Sequence, residues 1–116
     1  MFKVIIAGGR DFYNADLLYS TLDRLLLKKT NVQIVSGFAK GADSLALMYA
    51  ADRNLPWKIF PADWDTHGKQ AGYIRNKVMA DFADACVCFW DGKSRGTADM
   101  IGLCRKRKIP LRVIRY

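Results

Sequence analysis

The chain has no apolar run approaching the length of a membrane span, and its 116 residues hold only three cysteines, three prolines and one histidine. Each shortage excludes something. Without a run of about 20 apolar residues no spanning helix is expected. Three cysteines, an odd number and without zinc-ligand spacing, make neither a disulfide framework nor a structural zinc site. Cys86, Cys88 and Cys104 are expected to be buried reduced thiols, as free cysteine usually is. The single histidine, His67, shares a loop with Asp63 and Asp65. One imidazole with two loop carboxylates reads as a polar loop, so no metal and no cofactor is expected. Low-complexity segments, repeats and linkers are also missing, which leaves one domain over residues 1–116 with a real core. The first residues already carry a strand pattern, so no signal peptide is expected. Reduced thiols agree with a cytoplasmic location.

Two nucleotide motifs are absent as well. No turn ends in the GK[ST] of a P-loop, and none matches GxGxxG. Nucleoside triphosphate hydrolysis and ordinary dinucleotide dehydrogenation are disfavoured on that ground. What the chain does have is four glycine-bearing turns, each after a short apolar run. Val4–Ala7 leads to Gly8-Gly9-Arg10-Asp11, and Val32–Val35 to Ser36-Gly37-Phe38-Ala39-Lys40-Gly41-Ala42-Asp43. Trp57–Phe60 leads to a loop reaching Gly68, and Cys86–Trp90 to Asp91-Gly92-Lys93-Ser94-Arg95-Gly96-Thr97. A helical pattern follows each turn. In a parallel sheet such turns all lie at the strands' C-terminal edge, where ligands bind at the reversal of strand order. Glycine lets backbone N–H groups approach an anion, and a helix start adds favourable potential. The pattern points to a phosphorylated ligand.

Strands are expected at about Lys3–Ala7, Val32–Val35, Trp57–Phe60, Ala85–Trp90 and Leu111–Ile114. Helices are expected at about Ala15–Lys28, Asp43–Arg53 and Lys69–Ala83, with a fourth that follows Thr97 and ends near Lys108. Leu18, Leu22, Leu25 and Leu26 form the first helix's buried stripe, and Asn14 suits its N-cap. Leu45, Ala46, Tyr49 and Ala50 face inward from the second helix. Ala71, Ile74, Val78 and Phe82 mark the third helix's apolar face. Alternating strands and helices predict an α/β domain with a mainly parallel five-stranded sheet, order 3-2-1-4-5, and helices on both faces. The reversal then falls between strands one and four, with the Gly8-Gly9-Arg10 and Gly96-Thr97 turns on either side.

Several residues have both a structural and a functional reading. Gly8 and Gly9 serve a tight turn or a close ligand approach. Arg10 suits bidentate phosphate contact, and Asp11 either pairs with it or accepts a hydroxyl. Gly37, Lys40 and Gly41 form a glycine turn, and Asp43 is a helix cap or a ribose acceptor. Trp64 is a candidate lid or stacking surface. Arg75 and Asn76 lie in the third helix, Arg75 at the rim of its apolar face, where an arginine can also snorkel. Ser94, Arg95, Gly96 and Thr97 make an N-cap or a phosphate cradle. Asp99 follows in the first helical turn, where a carboxylate favours the dipole. The formal net charge of +8 favours anionic partners. Part of the excess is Arg105-Lys106-Arg107-Lys108, which reads as a solvated helix end or as a nucleic-acid contact.

Taken in order, Ala7-Gly8-Gly9-Arg10-Asp11-Phe12, Ser36-Gly37, Lys40-Gly41-Ala42-Asp43, Pro61-Ala62-Asp63-Trp64, Gly68-Lys69-Gln70-Ala71-Gly72, Arg75-Asn76, Met79 and Gly96-Thr97 resemble the SLOG superfamily, and within it the YspA-like, YpsA-related group. The resemblance spans almost the whole chain. It implies a Rossmann-like domain binding a nucleotide, ADP-ribose or a similar ribosyl phosphate, possible use as a sensor, and a homodimer. The implied ligand residues are Gly8, Gly9, Arg10, Ser36, Gly37, Lys40, Gly41, Asp43, Trp64, Arg75, Asn76, Arg95, Gly96 and Thr97. LOG-type phosphoribohydrolases, among the relatives, cleave the base from nucleoside monophosphates. Under that alternative Arg75 orients the substrate and Asp99 stabilises an oxocarbenium-like centre. The catalytic glutamate of those enzymes falls here on Met100, which is neither acid nor base. DNA-processing relatives bind single-stranded DNA, and the Ser36–Asp43 turn resembles theirs, so single-stranded nucleic acid is a further alternative.

Overall fold

The computed structural model describes residues 1–116. The elements run β1 (Phe2–Gly8), α1 (Ala15–Leu25), β2 (Val32–Ser36), α2 (Ala42–Asp52), β3 (Trp57–Ile59), α3 (Trp64–His67), a 3-10 turn (Gly68–Gln70), α4 (Ala71–Phe82), β4 (Ala85–Trp90), α5 (Arg95–Lys106) and β5 (Leu111–Arg115). The strands form one sheet in the order β3-β2-β1-β4-β5. Every pairing is parallel, with Ile5 opposite both Val35 of β2 and Cys86 of β4. The order reverses between β1 and β4, as expected, and the chain leaves these strands in opposite directions across the sheet.

Alternation along the strands divides the core in two. Val4, Ile6, Ile34, Val87 and Phe89 pack against Leu18 and Leu22 of α1 and Leu45, Ala46, Tyr49 and Ala50 of α2. Ile5, Val35, Cys86 and Cys88 pack the other way, against Met79 and Ala80 of α4 and Met100, Ile101 and Cys104 of α5. Burying a leucine or isoleucine side chain in such layers contributes roughly 2 kcal/mol. All three cysteines are buried free thiols, with Cys86 Sγ 3.5 Å from Cys88 Sγ. No helix is long and apolar enough to cross a membrane.

Four boundaries or faces differ from the sequence expectation. Helix α1 stops at Leu25 rather than Lys28. The Leu26 N–H closes on Leu22 O and the Lys29 N–H on Leu26 O, so the chain turns under an exposed Leu27. The loop after β3 contains α3, capped by Asp63 Oδ1 accepting the Thr66 N–H at 3.2 Å. Helix α5 begins at Arg95 rather than after Thr97, because Ser94 is its N-cap and its Oγ accepts the Thr97 N–H. Gly96 and Thr97 therefore belong to the first turn of a helix. The inner face of α4 is also rotated. Ala71 is buried as expected, but Ile74 and Val78 are 38% and 48% exposed, while Asn76, Met79 and Ala80 point inward. Hydrophobic periodicity misplaces this face because it counts Asn76 as a surface residue, whereas Asn76 has partners inside.

Candidate functional site

At the β1/β4 reversal the C-terminal edge of the sheet opens into a cleft of about 470 Å³. Its floor is the Ala7-Gly8-Gly9-Arg10 turn. Its walls are the β2–α2 turn with Gly37, Ala39 and Asp43, Trp64 of α3, Arg75 and Asn76 of α4, and Ser94, Gly96 and Thr97 at the start of α5.

Arg75 and Asn76 organise this cleft. Arg75 Nη1 donates to Gly37 O and, at 3.3 Å, to Phe60 O, while Nε donates to Asn76 Oδ1 at 3.0 Å. The buried Asn76 amide then donates to Gly96 O at 3.2 Å and to Asp99 Oδ2 at 3.1 Å. One chain of hydrogen bonds thus runs from the β2 turn through α4 to the first turn of α5. Burial holds the Arg75 guanidinium below its ordinary pKa. Its partners are carbonyl and amide oxygens, so its charge is not neutralised by contact.

Asp43 is buried under the same wall. Desolvation raises its carboxyl pKa to about 6, against the pull of the Ala39 N–H, which it accepts at 3.1 Å, and of Arg75 and Arg10. Asp11 does not pair with Arg10. It accepts the Tyr116 hydroxyl at 2.8 Å. Burial, together with Asp11, pushes that phenol's pKa upward. The Arg10 guanidinium instead lies 5.8 Å from the centre of the Trp64 ring, in cation–π range.

Asp91 shapes the last turn. Its Oδ1 accepts the N–H groups of Lys93 and Ser94, both at 2.8 Å, and these bonds hold its carboxyl below the ordinary range. The Trp90 indole donates to Ser94 O at 3.0 Å. The Ser94 and Thr97 hydroxyls stand 3.2 Å apart. The N–H groups of Arg95 and Gly96 find no protein acceptor, since the helical ladder starts beyond them. These free donors and the helix dipole give the α5 start a positive potential.

The glycines fall into two kinds. At Gly41, φ is +75° and a Cβ would collide with Gly9 O, so the fold itself demands glycine there. At Gly37 a Cβ would collide with Arg75 Nη1 and crowd Asp43 Oδ2 at 2.9 Å. Gly8 and Gly9 are hemmed in by Phe89, Ala42 and Tyr116. Gly96 is different: it has no positive φ, and a Cβ would meet nothing within 4 Å. It lines the cleft without any structural need to be glycine.

Of the residues expected from sequence, Gly8, Gly9, Arg10, Gly37, Asp43, Trp64, Arg75, Asn76, Gly96 and Thr97 come together around the cleft. Five others do not line it. Ser36 is buried and structural, its Oγ donating to Asp43 O and accepting the Phe38 N–H. Gly41 caps α2. Arg95 points into solvent, and Lys40 lines an adjoining cavity. Asp99 stands behind Asn76, so it positions that amide rather than facing the cleft. Lys69, Tyr73, Asp91, Met79 and Met100 line the cleft without having been expected to. Asp91 was detectable, as an Asx residue three before a helix cap. The run Arg105–Lys108 lies near the far end of α5, roughly 14 Å from Gly96 along the axis, and Arg107 pairs with Asp81 at 2.7 Å. No group of three or more His, Cys, Asp or Glu side chains is placed to hold a metal ion.

The ion pairs of the molecule, Arg53–Asp23 and Arg107–Asp81, both lie outside the cleft. Arg10, Lys69 and Arg75 line it with no carboxylate at ion-pair distance.

Comparison with known proteins bears on the family and the fold. Gene 61 protein of Mycobacterium phage D29 is 32% identical over 118 residues, covering 96% of this chain and 94% of that protein. DNA processing protein A from Helicobacter pylori, a structure described for its single-stranded DNA binding mode, is similar over 97% of this chain with a TM-score of 0.72 and 24% identity. The chain spans 64% of that protein's length, and the likeness is one of fold. The profile of the YspA, cpYpsA-related SLOG family matches residues 2–67, from β1 through α3, which carry Gly8, Arg10, Gly37, Asp43 and Trp64. The chain belongs to the YspA, cpYpsA-related SLOG family.

Proposed function

We propose that the cleft binds a nucleotide or nucleotide-derived ligand through its phosphate, at the start of α5. The observation that carries this reading is the set of three cations, Arg10, Lys69 and Arg75, that line the cleft without an ion-pair partner. The free N–H group of Gly96, in the first turn of α5, adds a donor at one end of it. An anion there gains charge-assisted hydrogen bonds, each contributing roughly 1.5–3 kcal/mol. Trp64, 49% exposed, gives a base a face to stack on. Asp43 stands where a ribose hydroxyl could donate to it.

Binding without cleavage is the better fit. Asp99 turns to Asn76, Met100 occupies the next position with its side chain buried, and the chain contains no glutamate at all. The remaining cleft carboxylates, Asp11, Asp43 and Asp91, are each engaged in hydrogen bonds of their own. Release of free base from a nucleoside monophosphate would support the hydrolase alternative instead.

A second reading, single-stranded nucleic acid, draws on the fold shared with DNA processing protein A. It predicts affinity falling steeply with salt and growing with strand length. The test of the leading reading is native mass spectrometry with nucleoside monophosphates and ADP-ribose. A stoichiometric adduct that disappears in the Arg10→Ala, Gly96→Val double variant is expected. An adduct unchanged in that variant refutes the site.

A further inference from the structure

The cleft does not end at Arg10 and Trp64. Beyond them a second cavity of about 350 Å³ opens, and Arg10, Gly37, Ala39, Trp64 and Arg75 line both. The two spaces adjoin, and the Arg10–Trp64 pair stands between them as a waist. The far chamber adds Phe38, Lys40 and Pro61.

Phe38 is anomalous in two ways. The residue is 58% exposed, and its φ of +62° places a bulky side chain in the left-handed region. The neighbouring Gly37, which could take such a φ without cost, does not have one. The strain is fixed in place: the Phe38 N–H donates to Ser36 Oγ at 3.2 Å, and Ser36 Oγ donates to Asp43 O at 3.0 Å. Backbone strain of this kind clusters at ligand clamps. Lys40, like Arg10, has no carboxylate at ion-pair distance. An exposed aromatic residue, two unpaired cations and a cavity adjoining the main cleft thus coincide.

We infer that the far chamber is a second nucleoside subsite. Phe38 stacks on an aromatic base there, and Arg10 and Lys40 meet the phosphate that crosses the waist. The two chambers together then take two nucleosides joined through phosphate, while a mononucleotide fills only the main chamber. This inference rests on the reading of the main cleft as a nucleotide site. Stacking on an exposed aromatic ring changes affinity by about tenfold or more per base.

Calorimetric titration of the full chain with adenosine monophosphate, a pyrophosphate-linked diadenosine and a phosphodiester-linked diadenylate tests it. At least one two-nucleoside ligand is expected to bind about tenfold or more tightly than the monophosphate, and which of them does so identifies the bridge. Phe38→Gly suits a positive φ, so its unfolding midpoint should not fall. It is expected to erase that gain and leave monophosphate binding unchanged, whereas Phe38→Tyr keeps the gain. Lys40→Ala, at an exposed position, should weaken only the two-nucleoside ligands. Equal affinity of all three ligands for the unaltered chain overturns the second subsite and leaves the main-cleft reading standing. A gain that survives Phe38→Gly overturns it too. If none of the three binds, both readings fail.

Discussion

Replacing Gly96 with alanine separates what the fold needs from what a ligand needs. Alanine is favoured over glycine by up to about 1 kcal/mol in a helix interior. In a first turn about half of that is a fair expectation, which for a domain of this size raises the thermal midpoint by about 2 °C. The new methyl meets no protein atom within 4 Å, so no steric loss offsets the gain. Gly96 does, however, line the cleft at the start of α5, where a phosphate would approach its N–H. A phosphate held there would lose one or two close N–H contacts, roughly 1.5–3 kcal/mol, or about ten- to a hundredfold in affinity. Gly102→Ala is the matched control: it lies on the same helix with equally open space, but away from the cleft. Thermal unfolding and calorimetric titration with a nucleoside monophosphate read both effects. Two slightly stabilised proteins are expected, of which only Gly96→Ala binds weakly. Equal affinity in the two variants would refute a phosphate site at the start of α5.

Three further outcomes follow from the same geometry. Gly37→Ala forces Arg75 Nη1 off Gly37 O and is expected to cost about 1–3 kcal/mol in denaturant unfolding while also weakening anion binding. Asp99→Ala leaves the Asn76 amide short of one acceptor, so it should lower stability by roughly 1 kcal/mol and leave nucleotide affinity unchanged; a loss of affinity equal to that of Arg10→Ala would restore Asp99 as a ligand contact. Asp43, raised from 3.8 to about 6, keeps its proton in the folded chain over a range where the unfolded chain has released it. Its contribution is fully present below about pH 4 and is lost as pH rises through 6. Stability measured between those values should therefore slope downward in the native chain and lose that component in Asp43→Asn.

The architecture was legible because its signals were redundant. Apolar runs at β1, β2 and β4, glycine turns after them and helical periodicity in α1 and α2 all imply one doubly wound sheet; right-handed crossovers leave few topologies, and the favoured order 3-2-1-4-5 is the one observed. Helix α4 was misread in its face because Ile74 and Val78 satisfy a hydrophobic stripe that tertiary structure does not use. Asn76 faces inward since Gly96 O and Asp99 lie within its reach, and those partners come from residues at least 20 positions away. The start of α5 was placed late for a related reason. Ser94 caps the helix only because Asp91 first folds the turn around it. The glycines show the limit of composition most directly. Gly37 and Gly41 suggested ligand approach, but Arg75 and Gly9 crowd them. Only the coordinates distinguish these from Gly96, which nothing in the fold constrains.

The most direct test of the central claim is amide chemical-shift mapping during titration with a nucleoside monophosphate. If the phosphate sits at the start of α5, the Gly96 and Thr97 amide resonances should move most, saturably. Smaller shifts should follow at the Gly8–Arg10 turn and the Trp64 indole. Saturable shifts confined to another face of the molecule, or no shifts at any nucleotide concentration, would contradict the account.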